Sequence, residues 1–280
     1  MKTGIIDVGG GMRDIYGAGI LDGCLDLNIS FDYGIGVSAG SGNIATFLAK
    51  QRGRNKRFYL EYAMRKEYMS FSNLVKKKKY LDLDYIYGTL ANSTGEDPMD
   101  YEEFARNLME FEVVGTDART GEPVYFDGKK MPIDHYDILK ASSCIPVICA
   151  PYPIGNEIYF DGGLSDPIPI QRAWDRGVER LVVILTKPRD LIRDPKKDAL
   201  PAKVLARSYP QAAKKLALRA ALYNRQASQA KEGEAQGKVC ILAPDGIGDL
   251  KTLTRDPHQL EELYQKGVRD AVKIRKFLKL

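Results

Sequence analysis

Phe31-Asp32-Tyr33-Gly34-Ile35-Gly36-Val37-Ser38-Ala39-Gly40 is the stretch that decides how this chain folds. Its apolar run, Phe31–Ile35, reads as a buried strand, and Asn43–Ala49 beyond it continues as a helix. Between them, Gly36-Val37-Ser38-Ala39-Gly40 fits Gly-x-Ser-x-Gly, the pattern of a nucleophile elbow. The pattern has a mechanical reason: a sharp turn from strand to helix lifts one hydroxyl out of the sheet. Only small neighbours let the chain pass so closely. A glycine-rich turn can match the pentapeptide by chance, so the reading depends on its surroundings.

Upstream, Thr3–Val8 reads as a strand that runs into Gly9-Gly10-Gly11, followed by a helix over Arg13–Asp26. That helix places Ile15, Ala18, Leu21 and Leu25 on one face, as packing on a sheet requires. A β-α-β-α opening implies parallel strands with a right-handed crossover. Downstream, Arg52–Arg65 reads as a basic helix. Glu112–Val114 and Val124–Phe126 flank Thr120-Gly121-Glu122-Pro123 as a hairpin. His135–Ser142 is a short helix, and Tyr159-Phe160-Asp161-Gly162-Gly163 a strand entering a tight turn. Arg180–Leu185 suits a buried parallel strand. Ala202–Ala230 predicts two helices broken near Pro210, then Val239–Leu242 a last strand and Pro257–Leu278 a closing helix. No linker or repeat interrupts this order, so a single α/β domain over residues 1–280 is expected, with a core at 1–186 and a helical C-terminal region with the last strand at 187–280.

Composition sets the class. Hydrophobic residues make up 44% and charged residues 28% of the 280, enough apolar content for a substantial core. A net charge of only +5 argues against a dedicated nucleic-acid binder. Cys24, Cys144, Cys149 and Cys240 have no CxxC spacing and lie mostly in apolar runs, as reduced core residues of an intracellular protein do. With His135 and His258 the only histidines, a zinc site of His and Cys ligands is not expected. Met1-Lys2-Thr3-Gly4 leads straight into the first strand and no apolar run reaches transmembrane length, so a cytoplasmic protein is expected.

A serine hydroxyl is a poor nucleophile until a base takes its proton. His135 lies in the helix-start context Pro132-Ile133-Asp134-His135-Tyr136, and His258 opens the last helix, so neither occupies a strand-end turn suited to catalysis. Asp161 does. It ends an apolar strand before Gly162-Gly163, where half-burial can raise a carboxylate's pKa; an ordinary Asp-Gly turn would look the same. Gly9-Gly10-Gly11-Met12-Arg13 joins strand to helix, where uncovered backbone N–H groups bind anions. In acyl transfer that anion is the oxyanion of the tetrahedral intermediate, and one such donor is worth about 3 kcal/mol of barrier. A dinucleotide-binding reading competes at Gly9-x-Gly11 and at Gly34-x-Gly36-x-x-Ala39. Asp14 stands where a small residue is needed, and the acidic residue expected about 20 positions on is missing. No GxxxxGK[ST] sequence occurs.

Taken together, Gly9-Gly10-Gly11-x-Arg13, Gly36-x-Ser38-x-Gly40, Ala141-Ser142-Ser143-x-Ile145-Pro146 and Asp161-Gly162-Gly163 resemble the patatin-like phospholipase family. Tyr209-Pro210, Arg219, Tyr223-Asn224, Leu253, Asp256, Leu260 and Leu263-Tyr264-x-x-Gly267 resemble its bacterial branch with a long C-terminal region. The resemblance implies a three-layer α/β/α fold with a mainly parallel central sheet. It also implies a Ser–Asp dyad without a catalytic histidine. Ser38 would be the nucleophile and Asp161 the base. Gly9, Gly10, Gly11 and Arg13 would form or support the oxyanion hole, and no cofactor, metal or calcium is implied. The substrate would be a lipid ester, cleaved as by a phospholipase A or lysophospholipase. Asp14 departs from the glycine common in the family. Its carboxylate is expected to face solvent, to cap the helix start, or, near the hole, to oppose an oxyanion. Cys144 and Val147 also depart from the pattern, with a changed acyl pocket expected.

An enzyme acting on lipid aggregates needs a way to meet their surface. Lys76, Lys77, Lys78 and Lys79 form one candidate for peripheral membrane contact. The basic tail Lys273–Leu280 forms a second. The competing reading of both is a solvated charge run and a helix packed on its own domain. Two other functions stay open: a non-catalytic lipid- or protein-binding module with a blocked hole, and a nucleotide-binding oxidoreductase.

Overall fold

The computed structural model describes residues 1–77, 79–246 and 250–279, with Leu74, Lys76 and Lys77 described by backbone alone. Among these residues eight strands form one sheet. They are β1 (Thr3–Asp7), β2 (Tyr33–Val37), β3 (Glu110–Asp117), β4 (Pro123–Asp127), β5 (Tyr152–Ile154), β6 (Glu157–Asp161), β7 (Arg180–Ile184) and β8 (Val239–Leu242). Their order is β5-β6-β3-β2-β1-β7-β8, with β4 also on β3. The stretch β3-β2-β1-β7-β8 is parallel throughout. Strands β4 and β6 join β3 antiparallel, and β5 joins β6 likewise.

Parallel neighbours need long crossovers, and helices supply them. The first five are α1 (Ile15–Asp26), α2 (Ala39–Leu48), α3 (Arg54–Leu60), α4 (Phe71–Lys77) and α5 (Tyr101–Arg106). There follow α6 (Asp137–Ser142), α7 (Ile170–Asp175), α8 (Lys196–Leu205), α9 (Pro210–Ala235), α10 (Pro257–Asp270) and α11 (Val272–Leu278). Alternate strand residues face opposite layers. Ile5, Val182 and Ile184 pack with α1, α2 and α10. Ile6, Leu181 and Val183 pack with α7 and α9. Each such side chain, fully buried, contributes about 1.5–3 kcal/mol of hydrophobic stabilisation. The fold is the three-layer α/β/α arrangement with a mainly parallel core.

Helices α1 and α10 meet backbone to backbone. A Cβ at Gly19 would lie 2.2 Å from the carbonyl oxygen of Tyr264, and one at Gly267 would lie 2.3 Å from that of Tyr16. The Tyr16 hydroxyl donates to Asp270 at 2.7 Å and the Tyr264 hydroxyl to Asp22 at 2.8 Å, so the pair is also tied by side chains. Asp256 caps α10 by accepting from the His258 and Gln259 amides, with Pro257 in the first turn.

Several boundaries differ from the sequence reading. β2 starts two residues late, because the Asp32 carboxylate accepts from the Thr3 amide and hydroxyl and holds Phe31-Asp32 in a turn. The elbow helix begins at Ala39, directly after the serine. β5 escaped the sequence reading: it has three residues and carries Pro153, tolerated at a sheet edge. The basic segment is shorter as a helix, with α3 followed by a 3₁₀ turn at Tyr62–Met64. The closing helix divides at Ala271, and the break before Pro210 stands where expected.

Candidate active site

Ser38 occupies the link between the C-terminal end of β2 and α2 with φ 56° and ψ −130°, a conformation that L-residues rarely adopt. The turn is held from both sides. The Ser38 amide donates to Ser142 Oγ at 2.8 Å. Its carbonyl accepts from the Ser41 amide at 3.0 Å and the Ser41 hydroxyl at 2.6 Å. Ser142 lay within the family-like block, yet only the structure assigns it this part; nothing in its spacing pointed to it.

Asp161 closes β6 and is buried beside the serine. Its own amide donates to the Cys144 carbonyl at 2.9 Å, and its carbonyl accepts from the Thr116 hydroxyl at 2.8 Å. The Gly163 amide donates to Oδ1 at 2.8 Å. Burial pushes the carboxyl pKa above its ordinary 3.8, while hydrogen bonding from the Ser38 hydroxyl, the Gly163 amide and the charge of Arg219 pull it back. Ser38 and Asp161 line the same cavity. His135 and His258 are both exposed, and neither lines the cavities at Ser38.

The glycine loop crosses the elbow from β1. Gly9, Gly10 and Gly11 have φ values of 67°, 141° and 61°. A Cβ on Gly9 would come within 2.2 Å of the Val37 carbonyl oxygen and 3.0 Å of Ser38 Cβ, so the loop presses directly on the elbow. A 3₁₀ turn follows at Gly11–Asp14, and its leading amides are those a helix start leaves without internal acceptors. The Met12 amide donates to the Thr252 carbonyl at 2.8 Å. Arg13 reaches away from the serine: its guanidinium donates to the Thr186 carbonyl at 3.2 Å and to Thr252 Oγ1 at 2.8 Å.

Asp14 neither faces solvent nor caps α1, contrary to the sequence expectation. It is fully buried and makes no cap bond. Its carboxyl lies against that of Asp7: a Cβ at Gly17 would be 2.6 Å from Asp7 Oδ2 and 2.6 Å from Asp14 Oδ1. Asp7 accepts from the Gly9 amide at 3.2 Å and from Asn43 Nδ2 at 3.1 Å. Asn43 also donates to the Asp14 carbonyl at 3.0 Å. Burial and mutual repulsion raise Asp14 well above 3.8, and burial raises Asp7. The raised direction favours a protonated Asp14, whose O–H is then placed to donate to Asp7. Asp7 and Asn43 were not singled out in the sequence; a carboxylate inside an apolar strand was the available signal for Asp7.

Two cavities meet at Ser38. One of about 740 Å³ is walled by Met12, Phe58, Met69, Leu83 and Ile86, among others. The other, about 1040 Å³, contains Asp161 and the glycine loop and is closed by Arg193, Arg219 and Tyr223 from the C-terminal region. Ile145 lines both, whereas Val147 is 48% exposed at φ 74° and lines neither. Cys144 is buried, its thiol donating to the Ala150 carbonyl at 2.6 Å. Among the described residues no group of three or more His, Cys, Asp or Glu side chains is placed to hold a metal ion.

The C-terminal residues quoted above have identifiable positions here. Arg219 and Tyr223 line the second cavity, Leu253 lines both, Asp256 caps α10, and Leu260, Leu263 and Tyr264 are buried in the core beside α1. A family pattern described as a domain of unknown function matches this part, residues 209–278. An uncharacterized protein of Escherichia coli (strain K12), YjjU, is 29% identical over 202 residues, covering 69% of this chain and 54% of its own length. The chain therefore spans about half the length of that curated relative. Among solved structures, VipD from Legionella pneumophila aligns over 98% of this chain and 66% of its own, with 13% identity and a TM-score of 0.49. The pattern of the patatin-like phospholipases matches residues 8–174, well over half of the 280. This chain belongs to the patatin-like phospholipase family, a family of lipid ester hydrolases.

Proposed function

We propose that this protein hydrolyses carboxylic esters of lipids with a Ser38–Asp161 dyad, in the manner of a phospholipase A or lysophospholipase. The observation that carries the reading is that the strained Ser38 and the buried Asp161 carboxylate line one cavity together with the glycine loop. Ser38 Oγ attacks the ester carbonyl carbon while Asp161 accepts its proton. The carbonyl oxygen becomes an oxyanion facing the Gly10 and Gly11 amides, with Gly9 shaping the loop and Arg13 bracing it. Collapse breaks the bond to the alcohol, which leaves with the proton held by Asp161, and an acyl-enzyme remains. Water, deprotonated by Asp161, then releases the fatty acid and restores Ser38.

The apolar cavity suits an acyl chain. Lipid is met by α4, whose Phe71 and Val75 are 77% and 82% exposed beside the cavity-lining Met69. Of the lysine run, Lys78 and the side chains of Lys76 and Lys77 lie outside the described residues, and Lys79 pairs with Asp84 at 2.5 Å. The basic tail keeps Ile274 and Leu278 buried and stacks Phe277 against Arg180, so α4 is the better anchor. No helix among the described residues is long and apolar enough to cross a membrane.

A non-catalytic binding module would need a blocked hole. Asp14, the residue that could block it, is turned into the core against Asp7. The test is a fluorophosphonate probe together with a short-chain nitrophenyl ester. Wild type should label and turn over, and Ser38→Ala should do neither. Equal labelling of both proteins would sink the proposal.

A further inference from the structure

The second cavity has a wall that ester hydrolysis alone does not require. Arg193 and Arg219 project there from the region after residue 186, on the side facing Ser38 and Asp161. Arg219 is held by Asp198, its Nε 3.2 Å from Oδ2. Arg193 has no carboxylate at ion-pair distance among the described residues. Its guanidinium packs over the Tyr223 ring, 5.1 Å from the centroid. The Arg193 main chain is fixed twice by Asn224, which accepts from its amide at 2.8 Å and donates to its carbonyl at 3.0 Å. A side chain so placed is pre-organised rather than drifting in solvent.

Arg193 and Arg219 line this cavity together with Asp161, and Asp198 binds Arg219. Burial, and then repulsion from Arg219, pull the Arg193 guanidinium down to about 10, with Asp198 only partly offsetting them. Two neighbouring guanidiniums in a half-buried pocket are costly when empty. Arg219 gives its Nε and one Nη to Asp198, whereas the Arg193 guanidinium makes no hydrogen bond among the described residues, so Arg193 offers the planar fork that a phosphoryl group demands and Arg219 adds charge beside it.

We infer that Arg193 and Arg219 form a subsite for a phosphoryl group carried on the alcohol side of the scissile ester. The acyl chain then occupies the apolar cavity, and the anionic leaving group lies against the C-terminal wall. The assignment rests on the proposed esterase reading for its kinetic consequence, but not for binding. It gives the C-terminal region a part in choosing the substrate.

Binding is measured by calorimetry on the Ser38→Ala protein, so that no turnover intervenes. The probes are hexanoyl glycerol phosphate, neutral monohexanoylglycerol and inorganic phosphate. The phosphate-bearing ester should bind about tenfold tighter than the neutral one, as charge-assisted hydrogen bonds allow. Arg193→Gln should abolish that preference and Arg193→Lys restore part of it, with thermal melts verifying that each variant is folded. Equal affinity for both esters, or a preference surviving in Arg193→Gln, overturns the subsite. Inorganic phosphate binding tighter than the ester assigns the pocket to a free anion and overturns the substrate assignment. With Ser38 intact, Arg193→Gln should lower the ratio of kcat/KM for the phosphate-bearing ester over the neutral ester about tenfold, and the exposed Arg106→Gln should not. Arg193-dependent binding without turnover of either ester would overturn the esterase reading and support the subsite.

Discussion

The carboxyl groups of Asp7 and Asp14 are packed against one another beneath the elbow, fully buried, and neither Asp14 carboxyl oxygen accepts a hydrogen bond from the described residues, which leaves a proton shared with Asp7 as the means of satisfying the pair. Asp7 also accepts from the Gly9 amide. An acid pair therefore supports the loop that crosses the serine, and its charge state bears on the fold.

Replacing Asp14 by Asn should stabilise the protein at neutral pH. Both folded-state pKa values lie above 3.8, so the folded protein keeps protons that the unfolded chain releases. The pair's contribution is present below about 3.8 and is lost as pH rises through the folded-state values. An amide at position 14 donates to Asp7 at any pH. Asp14→Asn should thus raise Tm at pH 8 and change it little near pH 4. A uniform shift across that range would refute the shared proton.

If Asp161 is the base as proposed, activity should fall in acid with a midpoint above the ordinary 3.8, because burial raises its carboxyl and a base must be ionised. Asp161→Asn should reduce kcat by about 100- to 10,000-fold with Tm preserved. Activity near the wild-type value would end the dyad reading and return attention to a histidine.

Gly9→Ala tests the loop. The added methyl would meet the Val37 carbonyl at 2.2 Å, on a backbone already at φ 67°. The loop must shift away from the elbow, so kcat should drop about 100-fold or more, alongside a lower Tm. Unaltered kinetics would remove Gly9–Gly11 from the reaction.

Val147→Gly should be stabilising. A β-branched residue at φ 74° carries strain of about 1–3 kcal/mol, and this one is half exposed, so little packing is lost. Its neighbours Ile145 and Ile148 line the second cavity, so relief of strain should also alter KM. A lowered Tm would mean that the side chain is needed where it stands.

What could be read in the sequence followed local rules. Gly-x-Ser-x-Gly, the triple glycine and Asp161-Gly162-Gly163 each lie at a strand end, and strand ends are marked by composition. Helix α9 was legible by its Ala, Leu, Lys and Arg content and by Pro210, and β8 by its short apolar run. The Asp7–Asp14 contact was not, because seven positions of separation say nothing about two side chains turned into one void. Asp14 read as facing solvent, capping the helix start or lying near the hole, and its burial against Asp7 beside Asn43 was not among these. The part played by Ser142 depended on a pairing 104 residues away in sequence, and that of Arg193 on Asn224, 31 residues on in α9, and its neighbour Tyr223. Long-range partners of polar residues leave no periodic trace.

The bond from the Met12 amide to the Thr252 carbonyl has a consequence for the order of events at the ribosome. Ser38 is made first, and the residue that latches the glycine loop more than two hundred positions later. On the proposed reading, a chain stalled between the two carries the nucleophile before its loop is secured and should be a poor hydrolase. Probe labelling of ribosome-stalled chains should therefore appear only once Thr252 has cleared the exit tunnel.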